Sequence, residues 1–138
     1  MARIAAPDLR GARKGDLDTP DAIAALVQQF YAKVLRHPGL RPFFNPAHLS
    51  RQMPVIEAYW ERMLLGGARY RRNMVNAHRE IHRRRRISSA DFDSWLVSFV
   101  DTVDQCFAGP RAERAKFLAR AIIGNLRRIL PPDSPQTA

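Results

Sequence analysis

The strongest constraint on this chain is a recurrence of apolar residues every three or four positions, cut into segments by prolines and glycines. Ile23, Leu26, Val27, Phe30, Tyr31, Val34 and Leu35 repeat with the period of one helix face. Thr19 stands before them as an N-cap, Pro20 takes the first helical position, and Asp21 lies in the first turn, where the helix dipole favours an acid. His37-Pro38-Gly39 ends the run. No segment alternates with a period of two around a hairpin turn, so the pattern predicts an all-α fold.

The later segments follow the same rule. Leu40 to Pro46, with Phe43 and Phe44 between prolines, reads as a packed corner. A second helix is expected from about Leu49 to Leu65, burying Met53, Ile56, Tyr59, Trp60, Met63 and Leu64, with Pro54 in its first turn and Gly66-Gly67 stopping it. A short helix around His78 leads into the run Arg83-Arg84-Arg85-Arg86. Ser88 or Ser89 then caps a helix over Asp91 to Phe107 whose inner face carries Phe92, Trp95, Leu96, Phe99, Val100 and Val103. Gly109-Pro110 opens a last helix through Ala115, Leu118, Ile122, Ile123, Leu126 and Leu130, closed by Pro131-Pro132. Five or so helices thus form one domain over 18–131, without internal repeats, between a mobile N-terminal arm (1–17) and a disordered tail (132–138).

A chain of 138 residues can bury a core without staples. Its single cysteine, Cys106, excludes an intramolecular disulfide and sits in an apolar run, which predicts a packed, reduced thiol and a cytoplasmic setting. No stretch is apolar over the roughly 18 residues a membrane span needs. The formal net charge of +10 invites a nucleic-acid reading. Charge is its only support, for there is no zinc-finger spacing, RNP motif or clear helix-turn-helix. Nor is there a phosphate loop: Gly66-Gly67 lacks the glycine and lysine spacing and the preceding strand.

The chemistry concentrates in the stretch from Tyr70 to His82. On a helix, Met74, Val75, His78, Ile81 and His82 share one side, whereas Arg71, Arg72, Asn76, Arg79 and Arg83 point elsewhere. An imidazole facing an apolar interior needs a partner: a polar core group, which is the simplest reading of the stretch alone, a metal, or a haem iron. His78 and His82 have the spacing of two zinc ligands, but Glu80 does not directly follow the first histidine and no third ligand is evident. Elsewhere, Tyr31, Trp95 and Gln52 bring three polar tips among Phe43, Phe44, Ile56 and Tyr59. Buried phenol and indole groups require partners, and the three would suit convergence on one small polar ligand.

In their order and spacing these residues resemble the truncated haemoglobins, most closely group III. The resemblance runs from about Pro20 to Leu130. It is carried by Phe30-Tyr31, by Pro42-Phe43-Phe44-Asn45, by Tyr59-Trp60 through Met63-Leu64-Leu65-Gly66, by Tyr70 eight residues before His78, and by Phe92, Trp95-Leu96 and Phe99. Group III members usually carry histidine at the position of Gln52, tryptophan at that of Leu49, and glycine and proline at those of Arg72 and Met74.

The resemblance implies a two-over-two helical sandwich around a b-type haem, with His78 as the iron ligand. Tyr31, Gln52 and Trp95 would form the distal, reactive polar set; Phe44 would pack on the haem face, Ile56 would border the ligand, and Tyr70, Arg72 and Met74 would contact the cofactor beside His78. Arg69, Arg72, Arg79 or Arg83 would meet the propionates. Implied ligands are O2, NO or CO. Slow release behind two donors points to NO/O2 or peroxide redox chemistry, as an NO dioxygenase or a peroxidase-like activity, rather than bulk oxygen transport, with an acidic reductase as a possible partner. The alternatives are a basic nucleic-acid-binding helical domain and a haem-less globin-like interaction module.

Overall fold

The computed structural model describes residues 14–66 and 74–130. Among them are five α-helices and no strand: α1 (Pro20–Arg36), α2 (Pro46–Leu65), α3 (Met74–Arg84), α4 (Ser89–Cys106) and α5 (Pro110–Ile129), with a 3-10 turn at Arg41–Phe43 between α1 and α2. Helices α1 and α2 pack as one pair and α4 and α5 as another. The pairs meet where α1 crosses α4 and α2 meets α5. Helix α3 packs closely on neither pair and buries no residue completely.

The expected caps are in place. The Thr19 side chain accepts from the Ala22 N–H at 3.1 Å, and Gly66, at φ 80°, ends α2 with its N–H on the Arg62 carbonyl. Ser88, the first of the two candidate serines, caps α4 in a reciprocal box with Asp91 (3.0 and 2.9 Å). Helix α2 departs from expectation. It starts three residues earlier, at Pro46, because the Asn45 carboxamide caps it by accepting from Ala47 and His48 N–H groups (2.9 and 3.1 Å). Pro54 therefore lies in the interior of α2, beyond its first turn. The Ser50 carbonyl there loses its i+4 donor, but Ser50 and Pro54 are both exposed, so water can take the donor's place.

One core cluster joins Ile23, Leu26, Val27, Phe30 and Val34 of α1 to Trp60 and Leu64 of α2, Phe99 and Val103 of α4, and Ala112, Ala115 and Ala119 of α5. A second holds Ile87, Phe92, Ile123, Leu126 and Leu130. Trp95, Leu96 and Ile122 border both. Phe30 and Phe99 are about 1 % exposed, and truncating either to alanine would cost about 3–5 kcal/mol.

The arm expected over 1–17 and the tail over 132–138 lie outside the described residues, except for residues 14–17. These four are docked, which corrects the reading of an arm extending to Leu17. Leu17 is fully buried. Lys14 donates to the Asp104 carbonyl, and the Gly15 carbonyl accepts from Ala108. The Asp16 carboxylate takes the Arg111 and Ala112 N–H groups at 3.0 and 2.7 Å, capping α5 from a distant part of the chain. Gly109, the local N-cap, makes no side-chain cap. Its φ of 137° disfavours a side chain, and a Cβ there would lie 2.5 Å from the Asp16 Cγ.

Burial pushes the Asp16 carboxyl up, but the Arg111, Leu17 and Ala112 N–H bonds and the Arg111 guanidinium together hold it below its ordinary 3.8. Asp16→Ala is expected to cost about 1–2 kcal/mol, as loss of a helix cap does. A depressed pKa means the unfolded carboxyl takes up its proton first, so the contribution is complete above pH 3.8 and fades as pH falls further. Urea denaturation of the two proteins should show a gap at pH 7 that narrows on acidification below pH 3.8.

Candidate functional site

A cavity of about 430 Å³ opens between the helix pairs and α3, within the usual size of cofactor pockets. Its walls are mainly apolar. Phe43, Phe44, Leu49, Val55 and Ile56 contribute from the corner and α2, Met74, Ala77 and Ile81 from α3, Phe92 and Trp95 from α4, and Ile122, Ile123 and Leu126 from α5. The polar groups reaching it from the interior are Tyr31, Gln52, His78 and the Trp95 indole, with Asn45, His48, Glu80, Arg84 and Asp91 also on its lining.

His78 is held by its own helix. Its Nδ1 lies 2.8 Å from the Met74 carbonyl oxygen. A carbonyl can only accept, so Nδ1 carries the proton and Nε2 keeps its lone pair. Burial pushes the His78 pKa below its ordinary 6.5, against the opposing effect of the Met74 bond, so the ring is neutral at pH 7. The ring is crowded by protein yet keeps accessible surface, because it borders an open cavity.

His82, the other histidine of the pair, is placed differently. It does not line the cavity, and its Nδ1 accepts from the Ile87 N–H at 3.0 Å, tying the end of α3 to the next turn. Its proton therefore sits on Nε2, the opposite tautomer to that of His78. Among the described residues no three His, Cys, Asp or Glu side chains converge as a metal site.

The α1 and α4 contributions are coupled. The Trp95 indole lies beside the Tyr31 hydroxyl, where its N–H favours the ionised phenol. Burial pushes the Tyr31 phenol up to about 12, while the Trp95 N–H works in the opposite direction. An indole N–H can only donate, so it offers nothing to the Tyr31 proton, which must find its acceptor elsewhere. Trp95 is fixed in turn: its ring stacks on Phe99 (5.3 Å, 2°), Phe99 stacks on Trp60 (5.0 Å, 19°), and Phe30 meets Trp95 edge-on at 5.3 Å. Phe44 meets Tyr31 edge-on at 5.7 Å.

Residues 17–122 match the sequence model of the bacterial-like globins. The chain belongs to that family. The crystal structure of the group III truncated hemoglobin from Campylobacter jejuni superposes on this globin with a TM-score of 0.76 at 23 % identity, covering 85 % of this chain and 94 % of that one. No curated protein matches the sequence.

Of the residues read from the sequence, this globin brings Tyr31, Phe44, Gln52, Ile56, Met74, His78 and Trp95 to the one cavity. Tyr70, Arg72 and Arg69 lie outside the described residues. The expected α3 face is the observed one: Met74, Val75, His78, Ile81 and His82 are half-buried while the rest of the helix is exposed. Two of the arginines named for an anionic partner are engaged elsewhere, Arg83 with Glu80 and Arg79 with Asn76. The arginine that does line the cavity is Arg84, which only its spacing marks: it falls seven residues after Ala77 and three after Ile81, on the same flank of α3. Arg85 covers the Phe43 ring at 5.5 Å. Nothing in the sequence marks the α5 wall as part of a site, since Ile122, Ile123 and Leu126 carry the periodicity of ordinary core.

The coupling of Tyr31 to Trp95 is open to test. In ultraviolet difference titration against Tyr31→Phe, the Tyr31 phenol should ionise near pH 12. Trp95→Phe removes the indole proton that stabilises the phenolate, so it should move that ionisation higher still. A downward shift would show that the indole does not donate to Tyr31.

Proposed function

We propose that this globin holds a b-type haem in the cavity, ligated by His78, and uses the Tyr31–Trp95 pair to grip a small diatomic ligand, as a group III truncated haemoglobin would. The observation that carries the reading is the His78 ring, neutral, with Nδ1–H spent on the Met74 carbonyl and Nε2 left with a free lone pair. That is the donor an iron requires, oriented by its second nitrogen. The apolar walls suit a flat porphyrin, with Phe44, Ile56 and Met74 among its contacts, and Arg84 supplies a cation on the lining for a propionate. When bound, haem supplies an open coordination position and one-electron redox chemistry.

The chain's own residues do the rest. The Tyr31 hydroxyl donates into the cavity, and it stays protonated across the physiological range because burial opposes the phenolate. Trp95 orients that hydroxyl by occupying its oxygen, so Tyr31 is the donor and Trp95 its positioning residue. Gln52 adds an amide that can donate or accept but does not titrate. A donor of this kind slows the escape of a ligand carrying partial negative charge, which favours redox use of O2, NO or peroxide over bulk oxygen delivery. Cys106 is a free thiol, as suits a reducing cytoplasm.

Reconstitution with haem followed by a visible spectrum tests the reading; absence of a Soret band would overturn it in favour of a haem-less module. His78→Ala is expected to lose haem at least about tenfold faster, with added imidazole restoring retention. If His78→Ala keeps full haem content and an unaltered five-coordinate ferrous spectrum, His78 is not the ligand. Tyr31→Phe removes the donor and is expected to speed dioxygen dissociation roughly tenfold, the worth of one charge-assisted hydrogen bond. Unchanged stopped-flow rates would remove Tyr31 from the ligand site.

A further inference from the structure

Two large hydrophobic side chains stand exposed among the described residues: Val97 of α4, at 59 %, and Phe117 of α5, at 64 %. Both lie on the sides of their helices turned away from the core, since Phe99 and Val103 point inward from α4 and Ala115 and Ala119 from α5. Their surroundings carry opposite charge. Val97 stands among exposed Asp93, Asp101 and Asp104, of which Asp93 and Asp104 are paired with Arg127 and Lys116 within the chain. Phe117 stands among exposed Arg114 and Arg120, with Arg128 further along the same stripe. The one acid on that stripe, Glu113, is bound by Lys116 at 3.0 Å.

We infer that this outer face of the α4–α5 pair binds the same face of a second copy of the chain. The Lys116–Asp104 pair (2.6 Å) and the Arg127–Asp93 pair fix the antiparallel register of the two helices. That register sets Asp101 level with Ala119, one residue from Arg120, and Val97 level with Ile123, one residue from Gly124, where a Cβ would meet nothing within 4 Å. A two-fold axis running along the helices lays α4 of one copy over α5 of the other. Asp101 then meets Arg120 of the other copy, and Val97 settles over the open Gly124 position, twice by symmetry. The other face-to-face arrangement, α4 on α4, sets acid against acid and arginine against arginine.

Size and charge support a second copy as the occupant. Helices of 18 and 20 residues side by side offer a face roughly 30 Å by 18 Å, so a dimer buries on the order of 1,000 Å², at the threshold for a specific association. The association is therefore weak, in the micromolar range. The net charge of +10 opposes it only at long range, because five exposed arginines, Arg79 and Arg83 to Arg86, belong to α3 or the turn after it. At about 0.15 M salt, screening over about 8 Å leaves the local Asp101–Arg120 attraction in control. A single aromatic with three arginines is too small an apolar surface for stable membrane adsorption.

Sedimentation equilibrium of the full chain from about 10 µM to about 1 mM, in about 0.15 M salt, tests this. A monomer–dimer equilibrium is expected. Asp101→Arg or Arg120→Asp alone should weaken it about tenfold, and the double exchange should restore it. Phe117→Ser should weaken it likewise, while Arg79→Glu leaves it unchanged. All these residues are exposed, so unchanged thermal melts certify the fold. A chain monomeric to 1 mM overturns the inference, as does a dimer indifferent to the charge exchanges. A monomer that binds phosphatidylserine vesicles through Phe117 assigns the face to a lipid surface instead.

Discussion

The approach of the Trp95 indole to the Tyr31 hydroxyl is where the two helix pairs and the cavity meet. Phe30 and Tyr31 are neighbours on α1, yet one closes the core and the other opens onto the cavity. Consecutive helical residues diverge by about 100°, so the boundary between core and cavity passes between them. Trp95 sits on the same boundary from α4, edge-on to Phe30 and stacked on Phe99. Aromatic stacking fixes the indole, and the indole N–H, which can only donate, cannot take the hydroxyl proton. The rigidity of the core thereby extends to a polar pair on the cavity wall.

Helix α3 has the opposite character. It contributes His78, but it buries no residue completely, and only Met74 and Ile81 join the second hydrophobic cluster. Its far end is tied by the Ile87 N–H on His82. A helix held so lightly gains order when its half-buried face gains a partner, and a group bound through His78 would stabilise the fold by mass action as well as occupy it. The two histidines of this helix divide the work: His82 secures the backbone, whereas His78 keeps a lone pair free.

Much of this was legible in the sequence. Helices were marked by periodicity and by end signals that obey local rules, because the caps Thr19, Ser88 and Gly66 and the first-turn Pro110 act within a few residues of themselves. The α3 face was legible for the same reason, and so was the order of Tyr31, Phe44, His78 and Trp95 that carries the likeness to globins. Pro54 is the exception: proline's avoidance of helix interiors predicts a first-turn position, but the Asn45 cap decides where α2 starts, and solvent tolerates the orphaned carbonyl.

Residue types and spacings alone determined that the chain is helical, that it bends at the paired phenylalanines and glycines, and that a histidine lies on a half-apolar face. Tertiary structure decided which histidine meets the cavity and in which tautomer, through the Met74 carbonyl and the Ile87 N–H. It decided that Arg84 rather than Arg79 or Arg83 lines the cavity, and that Asp16 caps a helix more than ninety residues away. It also turned the α5 stripe into a cavity wall. The physical reason is common to all of these: helical periodicity is a property of neighbours in the chain, whereas tautomers, distant caps and cavity walls depend on atoms brought together only when the two helix pairs stack.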